Sequence, residues 1–120
     1  MELLYVGFGG ALGSILRYFV TSFIANGSNY GTFLVNAAGS ITIGLLWALF
    51  QNNLHDKLIS HFIFIGILGG FTTFSWYMLD AMKLLHTGRS YSAFFYLIIS
   101  NLVSLSLALA GFFTLRNFFK

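Results

Sequence analysis

The sequence contains no cysteine, which excludes a disulfide framework, a thiol nucleophile and a thiolate metal site. Charge is scarce: 8% of the 120 residues are Asp, Glu, Lys or Arg, and the formal net charge of +3 rests on six scattered cations. Without Lys/Arg clusters there is no footprint for phosphate groups, so nucleic acid is not an expected partner. No Asp, Glu or His lies near the centre of an apolar segment, and His55, His61 and His86 sit at or near connections with no partners at metal-ligand spacing. Acid–base chemistry has no candidate pair, so an enzyme is not expected. The N-terminal run has neither a basic leader region nor a small-residue cleavage site, and is expected to be a retained span. No internal repeat is visible, so a pathway with two-fold symmetry would need a second copy.

What the chain does have is apolar surface, at 58% of residues, with 19% aromatic. That composition excludes an ordinary soluble domain and predicts one all-α membrane domain over residues 1–120. Four apolar segments, at about 3–25, 32–50, 58–82 and 91–115, are each long enough to cross a bilayer as a helix. Little chain remains outside the membrane for a soluble catalytic unit. Polar stretches join the segments: Asn26 to Gly31, Gln51 to Lys57, and His86 to Ser90.

Four spans put both termini and the second connection on one side. Cations near the span ends are then Lys57, Arg116 and Lys120 on that side, and Arg17, Lys83 and Arg89 on the other. Because Lys/Arg asymmetry sets orientation, a balanced chain is expected to insert both ways and to pair as an antiparallel, dual-topology dimer. The other reading is that Arg17, snorkelling or too deep to count, fixes a single orientation. Small residues four apart (Gly9 and Gly13, Gly10 and Ser14, Ser40 and Gly44, Gly66 and Gly70) let helix backbones approach, and for most of them packing within one subunit is the expected use.

The third segment is the informative one. Its centre reads Gly69-Gly70-Phe71-Thr72-Thr73-Phe74-Ser75, residue types that weaken a helix where water cannot rescue the backbone, so a break is expected there. Non-helical backbone at membrane depth persists where it is buried in protein or lines a cavity, which makes this stretch the candidate ion or substrate site. Thr32, Asn36 and Ser40 form one stripe on the second helix, and Tyr96, Ser100 and Ser104 another on the fourth. A Ser or Thr can bond its own helix backbone, whereas the Asn36 amide needs more partners than one carbonyl supplies. Two such stripes can line one polar track. Its groups are hydroxyls, an amide and ring edges without any acid, and the positive rim of an aromatic ring suits a small anion. Phe74 and Tyr77, with Ser75 between them, lie beside the expected break. Arg17, the one charge well inside a span, either snorkels or stands at the pore mouth. Asp80 is expected to pair with Lys83 on an outer turn.

Three motifs resemble the small fluoride channels of the Fluc, or CrcB, family: Gly9-Gly10-Ala11-Leu12-Gly13-Ser14-Ile15-Leu16-Arg17-Tyr18, Gly31-Thr32-Phe33-Leu34-Val35-Asn36-Ala37-Ala38-Gly39-Ser40, and Gly69 through Ser75. The resemblance covers the whole chain. It implies an antiparallel dimer in a bacterial cell membrane, with two parallel fluoride pores and a structural sodium ion on the two-fold axis. It implies further that main-chain carbonyls of Gly69 and Thr72 hold the sodium, that Asn36, Phe74, Tyr77, Tyr96, Ser100 and Ser104 match pore-lining positions, and that Arg17 matches the first-span arginine. The family usually has a small hydroxyl residue and Phe where this chain has Trp76 and Tyr77, and a Thr can stand where it has Ala108. Some members pair different subunits, one with a decayed pore, and this chain could be such a partner. A proton-coupled exporter of the small multidrug-resistance type shares the size and span number, but works through a membrane-embedded carboxylate that is missing from the span centres here.

Overall fold

A computed structural model describes residues 1–26, 28 and 30–120; Gly27 and Asn29, which fall in the first expected turn, lie outside the described residues. Among the described residues the secondary structure is helical throughout, without a strand. Four helical stretches are long and apolar enough to span a membrane: Glu2–Ile24, Tyr30–Asn53, Leu58–His86 and Ser90–Phe118. The protein is therefore a multi-pass membrane protein.

The first span, α1, is the α-helix Glu2–Phe19 followed by a π-helical turn, Val20–Ile24. The Thr21 hydroxyl donates to the carbonyls of Arg17 and Tyr18, so a side chain competes with the main chain where the helix widens. The second, α2, is Tyr30–Phe50, with a 3-10 turn at Gln51–Asn53. The third span begins as α3, a π-helical stretch Leu58–Leu68 and a last α-turn Gly69–Phe71, and resumes as α4, Ser75–His86. The Asp56 carboxylate accepts from the Leu58 amide at 2.9 Å and satisfies one of the free donors at the start of α3. At the other end of the span, Gly88 sits at φ +75°, its amide bonded to Leu85 O and the next amide, Arg89, to Leu84 O. This paired closure needs a left-handed residue, and glycine supplies it without strain. The last span, α5, is Ser90–Phe118.

The helices form two layers. Gly9 lies on Phe62 and Gly66, and Gly13 on Ile67 and Phe71, so α1 and α3 run parallel with their backbones touching. A Cβ on Gly9 would come 2.5 Å from Phe62 O, which is why no side chain fits. In the second layer Gly44 meets Ala108, and Gly111 meets Ile41 and Leu45, packing α2 along α5 in the same manner. Glycine spacing thus serves packing inside the subunit in both layers. After the non-helical residues 72 to 74 the third span changes layer: α3 packs on α1, whereas α4 packs on α5.

Glu2 pairs with Lys57 and lies 3.8 Å from His61, joining the start of α1 to the start of α3 on the terminal side. That hydrogen bond, and then the carboxylate's charge, hold the Lys57 ammonium above the usual lysine range. The molecule measures 47 × 34 × 22 Å, thin in one direction. Val35 is its largest fully buried side chain among the described residues, and no span has more than 17% of its most apolar window buried.

Candidate functional site

The site is built where the third span leaves helical geometry. Thr72 still closes a turn, its amide and hydroxyl both bonded to Leu68 O at 3.1 and 3.0 Å, but its backbone is extended at φ −80°, ψ 159°. From there the amides turn away from the helix. Thr73 N–H donates to Asn36 Oδ1 at 2.9 Å, and Trp76 N–H to Thr73 Oγ1 at 3.2 Å. In a continuous helix these two amides would bond to Gly69 O and Thr72 O. The carbonyls of Gly69 and Thr72 are therefore among those released.

Two side chains hold the released segment, one from α2 and one from α1. Asn36, on α2, binds the Thr73 main chain twice, accepting its N–H and donating Nδ2 to its carbonyl at 3.0 Å. Both ends of its amide are thereby paired, the oxygen as acceptor and the nitrogen as donor. Arg17, on α1, donates Nη1 to Thr72 O at 3.3 Å. The arginine therefore reaches the released backbone, and it is not among the residues that line the groove described next.

That groove holds about 380 Å³ between α2, α5 and the released segment. Asn36, Ser40, Thr72, Thr73, Phe74, Tyr77, Ser100, Asn101 and Ser104 supply its polar and aromatic wall, with Gly69 at its edge. Two members of each stripe read from the sequence thus share the groove, Asn36 and Ser40 with Ser100 and Ser104, whereas Thr32 is buried outside its lining and Tyr96 stands beyond it. Ser40 also returns its hydroxyl to Asn36 O at 2.7 Å, the local bond expected of a serine in a membrane helix. Phe74 and Tyr77 are 5.8 Å apart between ring centroids, and Tyr77 and Tyr96 are 5.3 Å apart, so three rings continue one into the next. Phe74 is 71% exposed although it lines the groove, so a single chain leaves the groove open along one side.

Tyr96 opens onto a second, wider cavity of about 860 Å³, lined also by Asp80, Lys83, Arg89 and Ser100. Ser100 borders both cavities. Ser75 begins α4 and stands outside both linings. Asp80 is not paired with Lys83 as its spacing suggested. It is buried and accepts from the Tyr96 hydroxyl at 3.2 Å, whereas Lys83 lies 5.3 Å from the Trp76 ring centroid. A ring two turns away on the same helix and a phenol on α5 compete with the i, i+3 ion pair, which is worth only a few tenths of a kcal/mol, ~0.2–0.5.

Sequence reasoning missed Asn101. It follows Ser100 directly, off the 96/100/104 stripe, and donates Nδ2 both to the Tyr77 hydroxyl and to Leu97 O, each at 2.8 Å. An amide within a membrane span was the signal that could have found it, on the reasoning that singled out Asn36. For a metal, the described residues hold no cluster of three His, Cys, Asp or Glu side chains. The oxygen donors at the break are freed carbonyls, those of Gly69 and Thr72 among them, and Thr72 O already accepts from the Arg17 guanidinium.

Fold and groove together define a small helical membrane protein with a polar, ring-lined track at an interrupted span. The chain belongs to the CrcB family: the family described as CrcB-like protein, Camphor Resistance, matches residues 4–112. It is 39% identical over 121 residues to a protein of Desulfotalea psychrophila named fluoride-specific ion channel FluC, covering 98% of this chain and 94% of that one. A protein of the same name from Agrobacterium fabrum is 40% identical, with 99% of each chain covered, and one from Helicobacter acinonychis is 38% identical, with 98% of each.

Proposed function

We propose that this chain is a fluoride-selective channel that releases cytoplasmic fluoride passively, and not an enzyme. The observation that carries the reading is the groove at residues 72 to 77, where ring edges, hydroxyls and an amide meet in a membrane span with no acid among them. The names of the relatives, which are bacterial ion channels, support it from a separate direction. Fluoride enters cells as the neutral weak acid, ionises and is trapped as the anion. An inside-negative potential drives it out with about 2.3 kcal/mol per charge per 100 mV, so no coupling ion is needed. The wall of the groove replaces part of the anion's water without a buried cation to trap it.

The same reading takes the working unit to be a dimer of antiparallel copies in the cell membrane. It is supported by the groove's open side, by the largely unburied spans and by the even division of cations between the two faces. Two copies meeting at the released segments would bring four carbonyls together, from Gly69 and Thr72 of each, as a structural sodium site. Bound there, sodium would tie the two segments together and offset their carbonyl dipoles. A paralogous subunit could occupy the partner's place. The exporter reading is disfavoured because the buried carboxylate, Asp80, lines the wider cavity beside Lys83 and Arg89 and not the central groove.

Purified protein in liposomes loaded with fluoride or chloride tests the proposal. Fluoride efflux without chloride efflux, lost on Phe74→Ala, is the expected result. Equal release of both anions, release of neither, or proton-linked uptake of an organic cation would overturn it.

A further inference from the structure

Tyr77 carries a hydroxyl into a groove where a free phenol would be a strong donor to a small anion. The structure places that hydroxyl elsewhere. It donates to Leu97 O on α5 at 2.6 Å and accepts from Asn101 Nδ2 at 2.8 Å. The ring has two tilted aromatic neighbours, Phe74 at 5.8 Å and Tyr96 at 5.3 Å between centroids, and the residue is 4% exposed. With its hydroxyl engaged, the ring meets the groove through its carbon–hydrogen part. Tyr96 follows the same pattern, its hydroxyl turned to Asp80 Oδ2.

We infer that Asn101 is a positioning residue for conduction: it tethers the Tyr77 hydroxyl to α5, so that the ring meets the ion with its rim. The Asn101 Nδ2 lies 2.8 Å from both the phenol oxygen and Leu97 O, and those two oxygens are themselves 2.6 Å apart, so one amide N–H is shared between them and ties the phenol to the α5 backbone. Without Asn101 the phenol keeps a single partner and can swing its O–H into the groove, where a direct bond to fluoride slows release. The inference rests on the fluoride-channel reading, and its subject is the coupling between two side chains.

The test is a double-mutant cycle of Tyr77→Phe and Asn101→Leu, read in fluoride efflux from liposomes and in the melting midpoint of the purified protein. Asn101→Leu should slow efflux about ten-fold when residue 77 is tyrosine, and by less than about two-fold when it is phenylalanine, because the hydroxyl on which it acts is then gone. The same effect in both backgrounds overturns the inference, since Asn101 would then act on the path or the fold directly. No effect in either background overturns it as well. If Asn101→Leu does not purify, Asn101→Ser, too short to reach the phenol, takes its place in the cycle. Should the parent protein release no fluoride, the channel reading fails by itself. The tether is then judged on the melting midpoint, where coupling sustains it and additivity overturns it.

Discussion

Asn36 shows how one side chain serves both backbone and track. Both ends of its amide grip Thr73, so its first physical task is to satisfy a peptide group at membrane depth. Asn36→Ala would leave a donor and an acceptor of Thr73 unpaired, at about 1–3 kcal/mol each, and should lower the melting midpoint of the purified protein markedly. Asn36→Asp separates the two tasks. The carboxylate can still accept the Thr73 N–H, but it faces the Thr73 carbonyl with a lone pair and puts a negative charge on the groove wall. It should therefore melt closer to the parent than the alanine variant while losing fluoride efflux. An alanine variant as stable as the parent would mean that the paired bonds do not hold the segment. The importance of Asn36 was legible from its unmet hydrogen-bonding capacity, but its partner was not, because Thr73 is 37 residues away and only the fold brings them together. Asn101 and the partners of Asp80 and Tyr96 were obscured for the same reason. Their bonds run between α4 and α5, and helical spacing within one segment does not contain them.

At the scale of elements, the apolar runs placed all four spans close to their observed bounds, because length and hydropathy alone decide whether a helix can cross a bilayer. Fourth-residue spacing of glycines was visible too. Which of them are in contact was not. Gly13 faces Ile67 O and the Phe71 amide, rigid backbone that cannot yield, whereas a Cβ on Gly7 would meet nothing within 4 Å. Gly13→Ala should push α1 off α3 at a cost of about 1–3 kcal/mol or more and reduce the yield of folded protein. Gly7→Ala should be neutral or gain up to ~1 kcal/mol, since it only removes backbone freedom from a helix. Comparable melting curves for the two would remove the close α1–α3 contact from the account. The released carbonyls belong to this scale as well. Because the ligands proposed for sodium are main-chain atoms, side-chain replacement does not remove them. Exchange of the cation does: purification with N-methyl-D-glucamine in place of sodium should lower the melting midpoint and the share of paired chains, and unchanged elution and melting would count against the site.

For the whole molecule, orientation in the membrane is the open question that its charges can answer. Arg17, the cation whose place in the count the sequence left ambiguous, is bonded to Thr72 O within the subunit, and Lys57 pairs with Glu2. Acidic partners weigh little in orientation, so Lys57 keeps its place in the count: with Arg17 counted the sides stand at three against three, and without it Lys57, Arg116 and Lys120 face Lys83 and Arg89. Labelling of the two faces decides between these counts, and the dual-topology reading takes the even one. A chain without native cysteine allows a clean measurement. Asn52→Cys places one thiol in the exposed connection between α2 and α3. In intact cells a membrane-impermeant thiol reagent should label about half of the protein, and the rest only after the membrane is opened, since equal cation counts favour neither direction. Moving the balance should move the labelling: adding Asn53→Lys, which puts a fourth cation on the terminal side, should hold that side in the cytoplasm and protect the thiol in most copies. If such chains can no longer pair head to tail, fluoride efflux should fall in step with the lost orientation and return when a copy biased the other way, by Ser90→Lys, is co-expressed. Complete labelling or complete protection of the Asn52→Cys chain, with efflux intact, would show that one orientation suffices and that the partner closing the groove is not an inverted copy.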